Sequence, residues 1–557
     1  MKSLQRQIWV QLCTALFSIL LLSTSYAQQP AVAPVGSSTL TVEEQALAAR
    51  IKVETIKEVT AALSAEEMQG RGTMQPGGDK AASYIASRFA QLQLKPLGNK
   101  DSYLQTIKFR EIELLPETGF IIGEQALKPG TDFVITPPYS GDKSVNGQLV
   151  FVAFGLASST PKRNDLEGID VKGKIVVLLQ GPPKNVNKAS WKNAKAGSTI
   201  VRNLVFLGAA GLVFVNTGTE ERPYSEMADY LTRRRIEPAD SEEMPSFVPP
   251  FVTLSNQAAE KLFADSGVSF QEALAKAETD NFKPFSLKKS AKITVRLQKA
   301  KGVSSNVVGL LEGSDPKLKT EALVYTAHYD AYGVSSDKRV YHGAADNALG
   351  VGEMIATAEA LSQASPRPRR SIIFLAVTGE EYGGYGSDHW VNNPTWNIKK
   401  VVANLNLDGM GTEVYGPVKT LVGYGAEHST LGALLKDVAA ASGLNVVPDP
   451  VPEENSFYRS DHYFFVKKGV PGLMILGAPE GDTSAWVKRM KQWSKTDYHQ
   501  PTDIIRADWN WDGPRTLAAL SGVMGWRIAN NEVMPSWLPQ SPFNRERGTN
   551  EPPPPEP

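Results

Sequence analysis

Cysteine is almost absent from this sequence. A single cysteine, Cys13, occurs among 557 residues, and it lies in an apolar stretch near the N-terminus. Disulfide bonds, a cysteine nucleophile and a thiolate-bound zinc ion are therefore excluded for the rest of the chain. Any metal ion must be held by histidine, aspartate and glutamate side chains.

An excess of charge of either sign is also missing. Lysine plus arginine number 59, as do aspartate plus glutamate, so the formal net charge is zero. Because no overall charge attracts nucleic acid or an anionic membrane, we expect neither as a partner of the mature protein. The hydrophobic share of 41% and the charged share of 21% are typical of folded globular proteins. A length of 557 residues predicts at least two domains.

The N-terminal residues have the pattern of an export signal. A basic start precedes an apolar run from Ile8 to Leu22, and Ser25-Tyr26-Ala27 supplies the small residues of a cleavage site. The run is short for a membrane span, so we interpret residues 1–27 as a secretory signal peptide rather than an uncleaved anchor. We expect a periplasmic or extracellular protein, in which residues 28–40 form a flexible linker.

Hydrophobic periodicity divides the rest of the chain into regions. Residues 41–118 begin with amphipathic helical patterns, whereas residues 119–286 contain short β-like runs and no histidine. In residues 287–535 apolar strands alternate with helices, which predicts an α/β domain with a mixed, mostly parallel sheet flanked by helices. We therefore expect residues 119–286 to form a β-rich domain inserted into the main one. The tail, residues 536–557, is polar and proline-rich, and we expect it to be disordered.

Individual elements can be assigned from the same periodicity. The predicted strands of the main domain are Ser305–Leu311, Ala322–Thr326, Ser371–Val377, Val401–Leu407, Thr420–Tyr424 and Gly472–Leu476. The predicted helices are Thr41–Leu63, Asp79–Leu92, Ala348–Gln363, Leu431–Ala441, Asp461–Lys467 and Arg515–Asn530. In the inserted region, we interpret the basic run Arg233-Arg234-Arg235 as an exposed loop.

Histidine and acidic residues follow the ends of the predicted strands. The residues just past such an end are His328, Glu380, Glu381 and Asp408. Ligands of α/β sheets bind beyond the carboxyl ends of the strands, so these side chains are expected to meet. Asp346 lies in a turn of glycine and alanine that opens a helix, where exposed N–H groups favour an acid.

The histidines sharpen this prediction, because all of them lie in the second half of the chain. Two histidines and three carboxylates suffice for two metal ions if one carboxylate bridges them. The predicted ligands are His328, Asp346, Glu381, Asp408 and His499. Nitrogen and oxygen ligands without sulfur suit two Zn²⁺ ions, although Co²⁺ or Mn²⁺ also fit.

Two further acids have predicted roles beside the metals. Glu380 and Glu381 are adjacent, so in a turn one can bind metal while the other accepts the proton of a water molecule. We assign Glu380 as that general base. Asp330 follows His328 by two residues, and in an extended chain the two side chains share a side. We expect the Asp330 carboxylate to accept the second ring N–H of His328.

Assembled in this order, the motifs resemble the co-catalytic di-zinc aminopeptidases, the zinc peptidase family that includes glutamate carboxypeptidase II. They are His-x-Asp at 328–330, Gly-x-x-Asp-Asn at 343–347, Glu-Glu at 380–381, Asn-Leu-Asp at 406–408 and Tyr-His at 498–499. The resemblance covers about Thr41 to Ala529. The inserted region resembles a protease-associated (PA) domain, on the segments Gly147–Val150, Gly168–Lys174 and Gly208–Gly211.

The resemblance implies a role for each site residue. Asp346 would bridge two zinc ions, and Glu380 would be the base for a metal-bridging hydroxide that attacks the scissile carbonyl. One ion would be held by His328 and Asp408, and the other by Glu381 and His499. The segment Phe457–His462 resembles one that often carries an oxyanion-stabilising tyrosine, for which Tyr458 is the candidate.

The implied function is a secreted or periplasmic di-zinc aminopeptidase that hydrolyses N-terminal residues of peptides. A carboxypeptidase or dipeptidase on the same site is an alternative, and it requires a cationic pocket for the substrate carboxylate. A glutaminyl cyclase of related fold is expected to use one zinc ion, whereas this sequence keeps the ligands for two. A non-catalytic, receptor-like relative is expected to lose metal ligands, whereas all five are present here. Side-chain preference and oligomeric state stay open.

Overall fold

The protein is described by a computed structural model that covers residues 39–159, 162–187, 191, 196–217, 223–409, 413–479 and 483–555. The predicted signal peptide and nearly all of the predicted linker lie outside the described residues. Within the described residues, no helix combines the length and the apolar character needed to cross a bilayer.

The first sheet forms the centre of the main domain. Its strand order is Arg235–Pro238, Leu104–Leu114, Leu297–Leu311, Ser371–Val377, Ala322–His328, Val401–Asn406, Gly472–Pro479, Val418–Tyr424 and Asn445–Val447, and Lys95–Pro96 pairs with Leu297–Leu311. From Ser371–Val377 to Gly472–Pro479 neighbouring strands are parallel, and antiparallel pairs flank them. This arrangement confirms the predicted mixed α/β sheet, and every strand predicted for the main domain is present.

The central strands are buried on both faces, as expected for parallel strands covered by helices. In the strand Ala322–His328, Leu323 and Tyr325 pack into one hydrophobic cluster, whereas the intervening Val324 packs into another. Successive side chains of a strand point to opposite faces, so both faces of the sheet need a cover of helices. The helices of this domain are Val42–Arg50, Val53–Ser64, Pro76–Gln91, Leu349–Ser362, Tyr385–Asn392, Leu431–Ala441, His462–Lys467, Thr483–Thr496 and Asp512–Asn530.

One predicted helix is divided in the structure. The pattern from Thr41 to Leu63 forms two helices, which are separated by the extended residues Ile51 and Lys52. A capping box between Thr41 and Glu44 begins the first helix. Glu44 also accepts hydrogen bonds from Arg527 of the last helix. Tertiary contacts therefore divide an apolar pattern that reads as continuous.

The inserted region contains a second, β-rich sheet. Its strand order is Gln125–Ala126, Gly119–Ile122, Phe285–Val295, Lys143–Phe151, Ile175–Leu179, Gly211–Val215, Phe251–Leu254 and Phe133–Thr136. Its helices are Ala196–Phe206, Tyr224–Leu231, Asn256–Phe263 and Phe270–Ala277. A two-stranded ribbon of this region is formed by Ala157–Ser159 with Lys162–Asn164. A second ribbon, in the main domain, is formed by Gly333–Val334 with Val340–Tyr341. The chain passes from the second sheet to the first at Arg296.

The basic run Arg233-Arg234-Arg235 is not the exposed loop that its composition predicts. The side chains of Arg233 and Arg234 are only 8% and 14% exposed. Arg233 is paired with the carboxylate of Asp229, and Arg234 is paired with that of Glu111. The strand Arg235–Pro238 then joins the edge of the first sheet beside Leu104–Leu114. Charge composition alone does not reveal these partners, because Glu111 lies far away in the sequence.

The expected disorder of the tail is wrong for its described part. Phe543 is buried, and it packs with Trp537 against the aromatic ring of Phe457. The guanidinium of Arg547 donates a hydrogen bond to the carbonyl of Val402. The aromatic anchors outweigh the polar and proline-rich composition, because they bury apolar surface.

A buried ion pair between Arg163 and Asp165 stabilises one turn of the second domain. Arg163 Nε donates to Asp165 Oδ1 at 2.6 Å, and both side chains are nearly inaccessible. The other carboxylate oxygen of Asp165 accepts the N–H groups of Phe154 and Leu156 at 3.2 and 3.0 Å. Removing the arginine leaves a buried carboxylate without its counter-charge, which is costly.

We expect Arg163→Ala to destabilise this domain by about 3 kcal/mol or more, as for other broken buried ion pairs. Chemical unfolding followed by tryptophan fluorescence measures the loss. The matched control is Lys283→Ala, which removes an exposed ion pair with Glu167 and is expected to change little. Equal stability of the two variants would contradict the prediction.

Candidate metal centre

The candidate metal centre lies at the carboxyl ends of central strands of the first sheet. The strands Ser371–Val377, Ala322–His328 and Val401–Asn406 are neighbours and run parallel. Their carboxyl ends therefore meet at the same edge. Side chains that follow these ends are brought together there, as the sequence predicts.

Asp346 is the centre of this cluster. It lies in the irregular turn Ala344–Ala348, which precedes the helix Leu349–Ser362. Its Oδ1 atom is 3.1 Å from His328 Nε2, and its Oδ2 atom is 3.3 Å from His499 Nε2. The two oxygens of one carboxylate thus face two different histidines.

Each histidine also faces a second carboxylate. His328 Nε2 is 3.3 Å from Asp408 Oδ1, and His499 Nε2 is 3.0 Å from Glu381 Oε2. Two groups of potential ligands result, and they share Asp346: His328, Asp346 and Asp408 in one, and Asp346, Glu381 and His499 in the other. The structure brings together all the metal ligands that the sequence predicts.

The donor atoms fit zinc in chemistry and in spacing. Ligand atoms around a tetrahedral zinc ion at about 2.0–2.1 Å are separated by roughly 3.3 Å. The nitrogen–oxygen distances within the two groups are 3.0 to 3.3 Å. Imidazole and carboxylate donors are also those that zinc accepts.

The tautomer of His328 is set by the main chain. Its Nδ1 atom is 3.2 Å from the backbone carbonyl oxygen of Asp330, which can only accept a hydrogen bond. In the neutral imidazole Nδ1 therefore carries the proton, and Nε2 keeps the lone pair that a metal ion can accept.

The hydrogen bond predicted from the His328 ring to the Asp330 carboxylate is not formed. The Asp330 carboxylate is 3.9 Å from Nδ1. It accepts instead the backbone N–H of Glu380 at 3.1 Å and the hydroxyl of Thr73 at 3.2 Å. The reason is that the strand ends at His328, so the extended geometry behind the prediction does not continue. Burial raises the pKa of Asp330 to about 6.

Glu380 lies beside the cluster rather than in it. Its Oε2 atom is 4.0 Å from His328 Nε2, and it belongs to neither ligand group. Burial raises the pKa of Glu380 well above its ordinary value, and the neighbouring carboxylates add to the increase. The two adjacent glutamates are thus directed to different positions, as predicted from their adjacency.

Negative charge is concentrated in this site. Burial opposes protonation of His499, but Glu381 and Asp346 overcome this effect and raise its pKa to about 9. The pKa of His328 is also well above its ordinary value, because Asp408 and Glu380 outweigh burial. A site with this potential attracts cations.

Asp503, which was not among the predicted site residues, holds the Asp346 turn. The buried carboxylate of Asp503 accepts the N–H of Ala345 at 2.9 Å and that of Asp346 at 3.0 Å. Burial raises the pKa of Asp503 to about 7. Its position four residues after His499 was the available signal, since an acid so close to a predicted ligand lies near the site.

Arg71 was also missed, and no sequence motif marks it. Its guanidinium is fully buried, and it donates hydrogen bonds to backbone carbonyls of Leu63, Tyr329, His342 and Gly343. These carbonyls come from the second helix, from the segment after His328 and from the start of the Asp346 turn. Arg71 therefore fixes several backbone segments around the metal centre.

Two short polar side chains connect the ligand loops. Asn347 Nδ2 donates to the carbonyl of Leu407 at 2.9 Å, which links the Asp346 turn to the residue before Asp408. The Ser460 hydroxyl donates to the Asp408 carboxylate. Interactions of this kind orient metal ligands.

The candidate oxyanion tyrosine, Tyr458, has ring contacts with Phe457, Tyr463 and Phe543 in an aromatic cluster. One tyrosine that the structure places against the candidate ligand His499 is Tyr498, whose ring stacks on it with centroids 3.6 Å apart. Burial and the charge of Asp346 raise the pKa of Tyr498 well above its ordinary value. Tyr498 immediately precedes a predicted ligand, and this adjacency was the missed signal.

Comparison with known proteins agrees with this geometry. Residues 306–523 match the family model described as Peptidase family M28, and this segment contains all the residues of the two ligand groups. The match to the model of peptidase family M28 therefore covers the part of the chain that forms the candidate metal centre.

Solved structures of other proteins have a similar fold. The fold is similar to that of the aminopeptidase from Aneurinibacillus sp. strain AM-1, with a TM-score of 0.56 and 18% identity over 88% of this chain and 97% of that chain. It is also similar to that of BSAP, a zinc aminopeptidase from Bacillus subtilis, with a TM-score of 0.53 and 19% identity over 87% of this chain and 97% of that chain. At these identities, the similarity shows a common fold.

Curated relatives match a shorter segment. The vacuolar membrane protease of Clavispora lusitaniae is 35% identical over 108 residues, and that of Saccharomyces cerevisiae (strain YJM789) is 32% identical over 108 residues. The match covers 19% of this chain and 10% of each relative. The chain therefore matches about a tenth of the length of these proteins.

We expect Asp503→Ala to weaken zinc binding by about 10- to 100-fold, as for other residues that orient metal ligands. The reason is that the N–H groups of Ala345 and Asp346 lose their acceptor. Competition with a coloured chelator measures the change. The matched control is Asp508→Ala, at an exposed position of the same segment, and zinc affinity equal to that control would contradict the prediction.

Proposed function

We propose that this protein is a di-zinc aminopeptidase that hydrolyses N-terminal residues of peptides. The observation that carries the proposal is the Asp346 carboxylate, whose two oxygens face His328 and His499 at 3.1 and 3.3 Å. The match of the ligand-bearing segment to the model of peptidase family M28 supports it.

The residues present fit two metal ions. His328 and Asp408 would hold one zinc ion, Glu381 and His499 the other, and Asp346 would contribute to both. Zinc in such a site lowers the pKa of a water molecule and polarises a carbonyl group. Co²⁺ and Mn²⁺ accept the same donors.

Glu380 is the proposed general base. Its backbone N–H is held by Asp330, and its carboxylate has a raised pKa, which suits a group that takes a proton and then releases it. In the proposed reaction, Glu380 accepts the proton of the attacking water and transfers it to the leaving amine. Asp330 acts through Glu380, because its carboxylate positions the base.

Tyr498 is a second candidate, beside Tyr458, for stabilising a developing oxyanion. Its ring stacks on His499, and its hydroxyl oxygen is 3.3 Å from Arg459 Nη2, which donates to it. The guanidinium stabilises negative charge in this region. Peptide substrates are the proposed partner of this surface.

The same Arg459 favours a second candidate function. Its side chain is 41% exposed, and Glu454 is its partner at 3.7 Å. A partly exposed guanidinium near the metal centre can bind a substrate carboxylate, as a carboxypeptidase or dipeptidase requires. The carboxylates around Glu380 favour a free substrate amine, and for this reason the aminopeptidase stands first.

Two further elements of the proposal concern the whole chain. The β-rich second domain is a proposed PA domain, in agreement with its mixed sheet. Export to the periplasm or to the extracellular space is proposed from the N-terminal pattern of the sequence. Cleavage of residues 1–27 in an expressing bacterium, found by N-terminal sequencing, tests the export.

Metal analysis together with a substrate panel tests the proposed function. We expect about two zinc ions per chain and hydrolysis of aminoacyl substrates and of peptides with a free amine. Blocking the amine is expected to abolish hydrolysis, because the acidic site then has no cation to bind. Cleavage of blocked peptides with a free carboxylate, and its loss in Arg459→Met, would favour the second candidate. A protein without bound zinc would contradict both.

Substitution of the two adjacent glutamates tests their division of roles. We expect Glu380→Ala to lower turnover by about 10²- to 10⁴-fold, the range for loss of a general acid–base group, with two zinc ions retained. We expect Glu381→Ala to lose zinc, because its carboxylate is 3.0 Å from His499 Nε2. Metal analysis and steady-state rates of the two purified variants make the comparison. Zinc loss in Glu380→Ala alone would mean that the roles are reversed.

A further inference from the structure

A segment of the second domain reaches the metal centre. It consists of the helix Tyr224–Leu231 and the following Arg233-Arg234-Arg235 run, which leads into the strand Arg235–Pro238 at the edge of the first sheet. Within this segment, Arg233 Nη2 donates a hydrogen bond to the backbone carbonyl of His499 at 2.7 Å. An arginine of the second domain thus contacts a metal ligand of the first.

The backbone of His499 requires such support. Its φ angle is 58°, in the left-handed region that residues other than glycine rarely adopt. Such a conformation persists only when surrounding contacts impose it. The hydrogen bond from Arg233 fixes the direction of the His499 carbonyl, and therefore the orientation of the peptide plane from which the ligand extends.

The side chain of His499 is held by Tyr332, which Arg233 also contacts. The hydroxyl of Tyr332 is 3.3 Å from His499 Nδ1 and 3.3 Å from the carbonyl oxygen of Glu381. The Arg233 guanidinium lies 4.4 Å from the centre of the Tyr332 ring. Arg233 therefore supports His499 twice, through its carbonyl and through the tyrosine that contacts its imidazole.

Arg233 is itself rigidly placed. Its side chain is 8% exposed, and the Asp229 carboxylate binds Nη2 at 2.7 Å. Arg339 donates to the other oxygen of Asp229 at 2.6 Å. The guanidinium also lies 4.7 Å from the centre of the Tyr341 ring. A planar guanidinium can stack on rings and donate several hydrogen bonds at once, whereas a lysine ammonium cannot.

We propose that Arg233 is a positioning residue for the metal ligand His499, and that through it the second domain completes the Glu381–His499 metal site. The inference rests on the proposed function, because it takes His499 to be a zinc ligand. It gives the inserted domain a role in metal retention, in addition to any role in substrate access.

Zinc retention tests this proposal, since it is measured without turnover. We expect Arg233→Met to weaken binding of one of two zinc ions by about 10- to 100-fold in chelator competition, the range for residues that orient metal ligands. The other zinc ion is expected to be retained. Arg233→Lys is expected to lie nearer to Arg233→Met than to the wild type, because lysine cannot stack and donate in the same way.

The matched control is Arg235→Met, two residues further along the chain. Arg235 pairs with Glu237 and lies over the ring of Tyr139, away from the metal ligands. We expect this variant to keep both zinc ions at wild-type affinity. The control removes an equal charge from the same segment, so a general electrostatic effect would appear in both variants.

A double-mutant cycle with Tyr332→Phe separates positioning from simple destabilisation. We expect the zinc-affinity losses of Arg233→Met and Tyr332→Phe to be less than additive, because both changes release the same imidazole. If Arg233→Met does not fold, Arg233→Lys and Asp229→Asn are compared with Arg235→Met by the same criterion.

The outcomes distinguish the two levels of proposal. A wild-type protein without two zinc ions would contradict the proposed function itself. A wild-type protein with two zinc ions and peptidase activity, together with zinc affinity in Arg233→Met equal to that in Arg235→Met, would overturn the role of Arg233 alone. Additive losses in the cycle would also overturn it.

Discussion

The carboxylate of Asp346 lies between two histidines, and much of the structure around it keeps it there. Buried acids in close proximity repel one another, and the arrangement is stable only if cationic partners and fixed hydrogen bonds compensate for that repulsion. Asp503 holds the backbone of the Asp346 turn, and Arg71 binds its first carbonyl. Both residues contact backbone groups at this turn, and through the backbone they position the Asp346 carboxylate.

The fold explains why distant segments reach this position. The carboxyl ends of three neighbouring parallel strands lie on the same side of the sheet, and a candidate ligand or the proposed base lies at or within a few residues of each end. The remaining ligand, His499, follows the long helix Thr483–Thr496 and does not end a strand. Its support comes from several elements, among them Arg233 of the second domain. The site is therefore rigid where strands supply ligands and depends on loop contacts at His499.

Much of the fold and most of the site were predictable from the sequence. Runs of apolar residues predicted the central strands, because a strand buried on both faces has few polar residues. The candidate ligands were predictable as a set: one histidine or acid at a strand end is more often structural, but several of them at the ends of apolar strands are hard to explain otherwise. The predictions for the tail and the basic run were wrong for a common reason: composition describes solvent preference, whereas Phe543 packs against Phe457 and Arg233 contacts His499 and Tyr332, partners that are distant in the sequence.

The sequence by itself determined which side chains gather in the candidate metal centre, since residue type and hydrophobic periodicity placed most of them at or just past the ends of predicted strands. Only the tertiary structure decided how these side chains are held. His328 Nδ1 binds a backbone carbonyl instead of the Asp330 carboxylate, Tyr498 stacks on His499, and Asp503 holds the Asp346 turn. These contacts depend on where a strand stops and how loops pack against each other. That information arises from three-dimensional packing, and no local pattern of residues contains it.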